Sequence, residues 1–333
     1  MFASLTSLKA AAVTTVAAST IALGLAPATS SAAVTLRIAG PAVAAPAYRF
    51  EEMRRVQPDT LTFTTLDDPL DPTFNQLLGI NDNGVISGYF GSGLAGHPNK
   101  GYLLPPPYTT YHNENFPGSF QTQVTSLNNH KDTAGFWVDG KGSNFGFIEW
   151  NGVFTTYRDP KTGKGTVNQI LGINDAGIAV GFYTDGNGIN HGFEVNQATS
   201  VFTPVAEKRG SNVTASGINN NGDITGFLTA GNGQVVGFLI KNGTFSEFIF
   251  PNSVATTPFG INANDEIVGS YTDTNNLTHG FTLTNPLTNA HFSKIDDPNG
   301  IGTTVVNGVN DLGQLVGFYV DGAGNTDGFL AKK

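Results

Sequence analysis

The sequence predicts an all-β fold, a six-bladed β-propeller, and three observations carry that expectation. A unit of about 45 residues recurs six times. Each unit divides into four short strand-like runs separated by turn residues. The array begins with a lone strand and ends one strand short, so its two ends are complementary.

The repeat is read from two landmarks. Gly79-Ile80-Asn81 returns as Ser126-Leu127-Asn128, Gly172-Ile173-Asn174, Gly217-Ile218-Asn219, Gly260-Ile261-Asn262 and Gly308-Val309-Asn310, at steps of 47, 46, 45, 43 and 48 residues. The asparagine is present in every copy, and a glycine follows it by seven residues: Gly88, Gly135, Gly181, Gly226, Gly269 and Gly317. A second glycine precedes an aromatic each time, from Gly101-Tyr102 to Gly328-Phe329.

Four strands, A to D, follow within each unit. Strand A ends at the asparagine, as in residues 76–81, and an Asn/Asp/Gly turn leads into strand B over 85–90. Strand C is the Gly-aromatic run, for example 191–195, and Asn151-Gly152 or Asn242-Gly243 turns it into strand D. The glycine within strand B is expected where blades converge on the axis, and the aromatic of strand C farther out, where the gap widens. Leu61–Leu66, followed by Asp67-Asp68-Pro69, matches the D strand ending in Ile295-Asp296-Asp297-Pro298, while the sixth unit stops after strand C. The N-terminal strand is therefore expected to complete the last blade against Gly328–Leu330 and close the ring, leaving no open edge.

Composition agrees with many short strands joined by tight turns. Glycine (42) and phenylalanine (24) are abundant, tryptophan (2) is scarce, and only 13% of residues are charged. Residues 1–33 read as a signal peptide: Lys9 precedes the apolar run Ala10–Leu25, and small residues follow to Ala33. Residues 34–60, rich in Ala and Pro, read as a linker or propeptide, and 61–333 as the propeller. A secreted, extracellular protein with no stable membrane insertion after signal cleavage is expected. With no cysteine, it has no disulfide framework and no thiolate metal site. The repeats hold 12 basic against 23 acidic residues, which argues against nucleic acid as a partner.

Taken together, the chain resembles the bacterial extracellular HAF-repeat proteins, on His191-Gly192-Phe193 and His279-Gly280-Phe281 and the upstream Gly-Ile-Asn-Asp-x-Gly, over roughly residues 61–333. The resemblance implies a repeat of the propeller type. It implies no catalytic residues.

Candidate ligand residues come from a six-fold series at the end of strand B: Phe90, Trp137, Tyr183, Leu228, Tyr271 and Tyr319. Aromatic faces suit stacking on sugar rings, and Trp137, Tyr183, Tyr271 and Tyr319 are the candidate ligand-binding residues, with Trp137 foremost for its broad indole. Packing between blades uses aromatics in the same way, and both readings stay open. The loops from B to C and from D to the next A are expected on one face, the ligand side, and are rich in aspartate. Asp185-Gly186-Asn187-Gly188-Ile189-Asn190 loosely resembles a Ca²⁺ loop but lacks the closing Glu; Asp, Asn and Gly are equally what turns require, so no cofactor and no metal site are assigned. Copy two deviates most, with Lys131 where four copies have glycine, and with His130, Trp137 and Trp150.

No nucleophile elbow, zinc-protease helix or phosphate loop is present, so no catalytic residue is assigned. A binding or interaction scaffold, with a polysaccharide or cell-surface glycan as the possible partner, is the preferred expectation. A glycoside hydrolase or polysaccharide lyase using loop acids, and a structural cell-surface module, are the alternatives.

Overall fold

Short runs of β-branched and aromatic residues between Asn-Gly turns form hairpins, and each repeat folds as a four-stranded antiparallel blade. The computed structural model describes residues 61–164, 167–206 and 209–333. The proposed signal peptide and linker lie outside the described residues.

Strand β1 (Thr62–Thr65) stands apart from the first blade. Blade one is β2 (Asn75–Ile80), β3 (Ile86–Phe90), β4 (Lys100–Leu104) and β5 (His112–Asn113). Blade two is β6 (Gln121–Leu127), β7 (Thr133–Val138), β8 (Asn144–Trp150) and β9 (Val153–Tyr157). Blade three is β10 (Asn168–Ile173), β11 (Ile178–Thr184), β12 (Asn190–Asn196) and β13 (Phe202–Pro204). Blade four is β14 (Ser211–Ile218), β15 (Ile224–Thr229), β16 (Val235–Lys241) and β17 (Thr244–Phe248). Blade five is β18 (Ala255–Ile261), β19 (Ile267–Thr272), β20 (Thr278–Thr284) and β21 (His291–Ile295). Blade six is β22 (Thr304–Val309), β23 (Leu315–Val320) and β24 (Thr326–Lys332), completed by β1, which pairs antiparallel with β24 from Thr62↔Lys332 to Thr65↔Phe329.

The repeated asparagine ties the blades together. Its Nδ2 donates to the backbone carbonyl of the same asparagine in the next blade: Asn81 to Asn128 (3.0 Å), Asn128 to Asn174 (3.4 Å), Asn174 to Asn219 (3.2 Å). Asn219 donates to Asn262, Asn262 to Asn310, and Asn310 back to Asn81, each at 3.0 Å. Oδ1 of the same residue accepts the amides two and four positions on, as in Val85 and Asn83 on Asn81, and so fixes the A–B turn. One buried side chain thus closes its own turn and holds its neighbour. A second belt lies one residue on, where the amides of Asp82, Asn129, Asp175, Ala263 and Asp311 are each accepted by the Oδ1 of the next blade's residue, across the seam as well.

In all six blades strand A carries a β-bulge opposite strand B, between Leu77/Gly79, Val124/Ser126, Ile170/Gly172, Ala215/Gly217, Pro258/Gly260 and Val306/Gly308. The bulge corrects the reason given for the strand-B glycine. A Cβ on Gly135 would lie 2.0 Å from the Gln123 carbonyl oxygen of its own blade, and one on Gly317 1.9 Å from that of Val305. The obstacle is within the blade. The glycine that meets the neighbouring blade is the one in strand A: a Cβ on Gly172 would lie 3.2 Å from the Gly217 Cα, and one on Gly308 3.1 Å from the Gly79 Cα. The strand-C aromatics fill the wider space, and Phe147, Phe238, Phe281 and Phe329 are fully buried. Each large apolar cluster joins two adjacent blades, for example Ile148 of blade two with Ile170 and Phe193 of blade three.

The closing turn after β1 holds a carboxyl group in an unfavourable place. Asp67 accepts the Gly328 amide (3.0 Å), but burial, with Asp327 and Asp321 nearby, pushes its pKa up to about 6. The folded state binds this proton more tightly than the unfolded chain does. Stability from this group is therefore present at acid pH and declines as pH rises through the window from about 4 to about 6. We expect Asp67→Asn to melt like the parent at pH 4 and to be more stable by about 1 kcal/mol at pH 7, after allowance for solvent screening. Thermal melts at both pH values check this. For the asparagine ring, Asn262→Asp keeps the turn acceptor but sets an oxygen against the Asn310 carbonyl; a loss of about 2 kcal/mol is expected in urea unfolding. Asn262→Ala, which also orphans two turn amides, should lose about 3 kcal/mol.

Candidate functional site between blades three and four

The six-fold series at the end of strand B is brought to one face, beside the D–A and B–C loops. A second position recurs above it. In the D–A loop, the amides of Asp68, Phe116, Asp159, Phe250 and Asp297 are each accepted by a side chain among the first two residues of the following strand A, namely Asn75, Thr122, Asn168, Thr256 and Thr304. Where that residue is phenylalanine it lies flat on the strand-B aromatic. Phe116 stacks on Trp137 (4.6 Å, 4°), and Phe250 on Tyr271 (3.7 Å, 5°).

This arrangement corrects the ground for choosing Trp137. Its other face is covered by Phe145 (4.7 Å, 26°), and its Nε1 donates to Thr156. The indole has no free face on which a sugar could stack. Tyr271 is covered by Phe250 and tilted against His279, and Tyr319 is buried with its hydroxyl on Thr65 (2.9 Å). Tyr183 lines a cleft. Lys131, in the deviant copy, adopts φ 73° at the turn where other copies have glycine, and lies with His130 on the opposite face, at the A–B turn.

The cleft, of about 440 Å³, opens between blades three and four. Phe193, Phe202, Val205 and Val213 give it apolar walls, and Asp159, Lys161, Asn190, His191 and Ser211 a polar rim. Comparison with blade five shows where the space comes from. There Tyr271, His279, Phe281 and Phe292 repeat Tyr183, His191, Phe193 and Phe202 in register. Three neighbouring positions differ. The Phe250 lid is Asp159 in blade three, Lys294 is matched by Pro204, and Asp296, which follows Ile295, by Ala206 after Val205. The missing lid leaves Tyr183 and His191 open to the cleft, and Ala206 packs into the apolar cluster beside it.

His191 forms its wall. The imidazole stacks on Tyr183 (5.0 Å, 19°), and its Nε2 bonds Asp185 Oδ2 at 3.0 Å. Asp185 Oδ1 accepts the Asn187 and Ile189 amides, and the Ile189 amide, followed by His191, holds the carboxyl pKa down to about 2. An ionised Asp185 requires a proton on Nε2 of His191. Nδ1 then faces away from the loop, with no hydrogen-bond partner among the described residues.

Asp139, Asp273 and Asp321 cap their B–C loops as Asp185 does, each accepting two amides through Oδ1. The B–C aspartates act as turn residues. Among the described residues no group of three His, Asp or Glu side chains could hold a metal ion. Sequence reasoning met Asp159 only as one of the D–A loop aspartates and did not single out Ala206, because neither is distinguished until strand register aligns them with Phe250 and Asp296.

No protein-family model matches the chain, and no curated protein matches it in sequence. Among solved structures it is similar to TolB from Acinetobacter baumannii, at 9% identity and TM-score 0.50, over 76% of this chain and 65% of that one. It is also similar to a Hadza microbial sialidase, at 10% identity and TM-score 0.50, over 78% of this chain and 65% of that one. A six-bladed fungal lectin from Aleuria aurantia aligns at 10% identity and TM-score 0.46, over 78% of this chain and 93% of that one. The chain spans 65% of the length of each of the first two. The fold is a β-propeller. At such identities the likeness speaks to the fold and to nothing finer.

With both indole faces covered by protein, Trp137→Ala should lower stability by about 2 kcal/mol, as loss of a half-buried aromatic does. Urea unfolding checks this; a midpoint unchanged from the parent would mean that the stack contributes nothing.

Proposed function

We propose that this chain is a secreted binding propeller of the HAF-repeat type that takes up a saccharide in the cleft between its third and fourth blades. The observation that supports the reading is the makeup of that cleft, apolar walls beneath a polar rim. A sugar ring has the matching character: C–H faces that gain from apolar cover, and hydroxyls around the edge that need directed partners. The volume of about 440 Å³ is in the range that holds a small ligand. His191, backed by Asp185, is a rigid polar contact at low entropic cost. Export would place the protein among extracellular polysaccharides.

The reading is tested by screening the protein on an oligosaccharide array and measuring hits by calorimetry. His191→Ala and Phe202→Ala should each weaken binding at least tenfold, about 1.4 kcal/mol. Tyr319→Ala and Trp137→Ala, placed in other blades, should leave affinity unchanged. Retention of no sugar, or equal affinity in all four variants, overturns the proposal.

A further inference from the structure

The blade-five copy of the site is filled, and what fills it points to the class of ligand that blade three takes. In blade five, His279 Nδ1 bonds the Asp296 carboxylate at 2.9 and 3.1 Å, and Lys294 Nζ lies 2.8 Å from the same carboxylate. The opposite nitrogen, Nε2, faces Asp273 at 3.6 Å, as that of His191 faces Asp185. The histidine is thus held between a turn aspartate behind it and a second carboxylate in front. In blade three no carboxylate among the described residues bonds His191 Nδ1; Ala206 follows Val205 as Asp296 follows Ile295, but at φ 53° it packs into the neighbouring apolar cluster. His191 Nδ1 keeps the same orientation relative to its backing aspartate and lines the cleft, with Lys161 on the rim.

Resting on the saccharide reading above, we infer that the cleft takes an acidic sugar, a uronate, whose carboxylate occupies the place that Asp296 fills in blade five. His191 Nδ1–H and the Lys161 ammonium bind the carboxylate, and the sugar ring lies on Phe202 and Val213. With Nε2–H committed to Asp185, the imidazolium donates to the ligand carboxylate through Nδ1. The groups around the ring are Asp185 behind it, Tyr183 beneath it, and Asp159 and Lys161 on the preceding D–A loop. The following D–A loop and β14 bring no further titratable group toward the ring among the described residues; Arg209 lies over Phe245 at 4.9 Å. Among the described residues that line the cleft, Asp159 is the acidic one.

The test uses the full chain and three families of oligosaccharide, built on galacturonate, glucuronate and mannuronate, each beside its carboxyl-reduced counterpart. At least one acidic member should bind tenfold or more tightly than its reduced form. Asp159→Asn should tighten binding. Ala206→Asp adds a carboxylate one residue beyond the cleft residue Val205 and should weaken binding of the acidic sugar, whereas Ala206→Asn, equal in size, should retain most of it. Both replacements suit the positive φ of 53° at this position better than alanine does. Tighter binding of the reduced sugars, or equal loss in the two Ala206 variants, overturns the inference and leaves the saccharide reading intact. Binding of neither acidic nor reduced sugars overturns both.

Discussion

Everything in this ring depends on one buried amide side chain per blade. An asparagine at the end of strand A has an acceptor and a donor pointing in different directions. The acceptor closes the turn that follows, and the donor reaches the carbonyl of the next copy. Neither aspartate nor serine offers both in that geometry. Because the sixth asparagine bonds the first, the set has no end, and local turn formation and global closure draw on the same atoms. The interior that this ring encloses is made of slabs between blades, so no blade has a complete core alone. Cohesion is a property of neighbours.

Much of this was legible in the sequence, and the physical reason is periodicity. Strands β2, β3 and β12 run within one residue at either end of the expected 76–81, 85–90 and 191–195, since alternation and turn residues are local signals. The completion of blade six by the N-terminal strand followed from matching Leu61–Leu66 to the D strand ending at Ile295, and β1 pairs with β24. What escaped was whatever depends on register across the blade. The strand-B glycine owes its place to a bulged carbonyl of strand A, and a bulge leaves no mark in composition. Trp137 looked like an open face because Phe116, which covers it, belongs to a loop of the preceding repeat.

The site shows the same limit from the other side. Tyr183 was legible as an aromatic at a repeated position, and the structure sets it beside His191 in the cleft. The cleft itself arises from what is missing, a phenylalanine lid at Asp159 and, among the described residues, a carboxylate in front of His191. Absence is invisible until an equivalent position is known to be filled. Blade five supplies that equivalent within the same chain, where Phe250 and Asp296 occupy the space.

The two rims of the ring follow different rules. On the rim of the A–B turns each blade repeats the same bonds. On the other rim, the residue paired with the end of strand B and standing before the Gly-aromatic pair is Lys100, Phe145, His191, Val236, His279 and Asp327 in turn. One rim is a clasp that must stay uniform; the other is a row of sockets free to differ. Duplicating a repeat therefore copies the clasp complete and brings an uncommitted socket with it. Recognition can then diversify one socket at a time, with no new instructions needed for assembly.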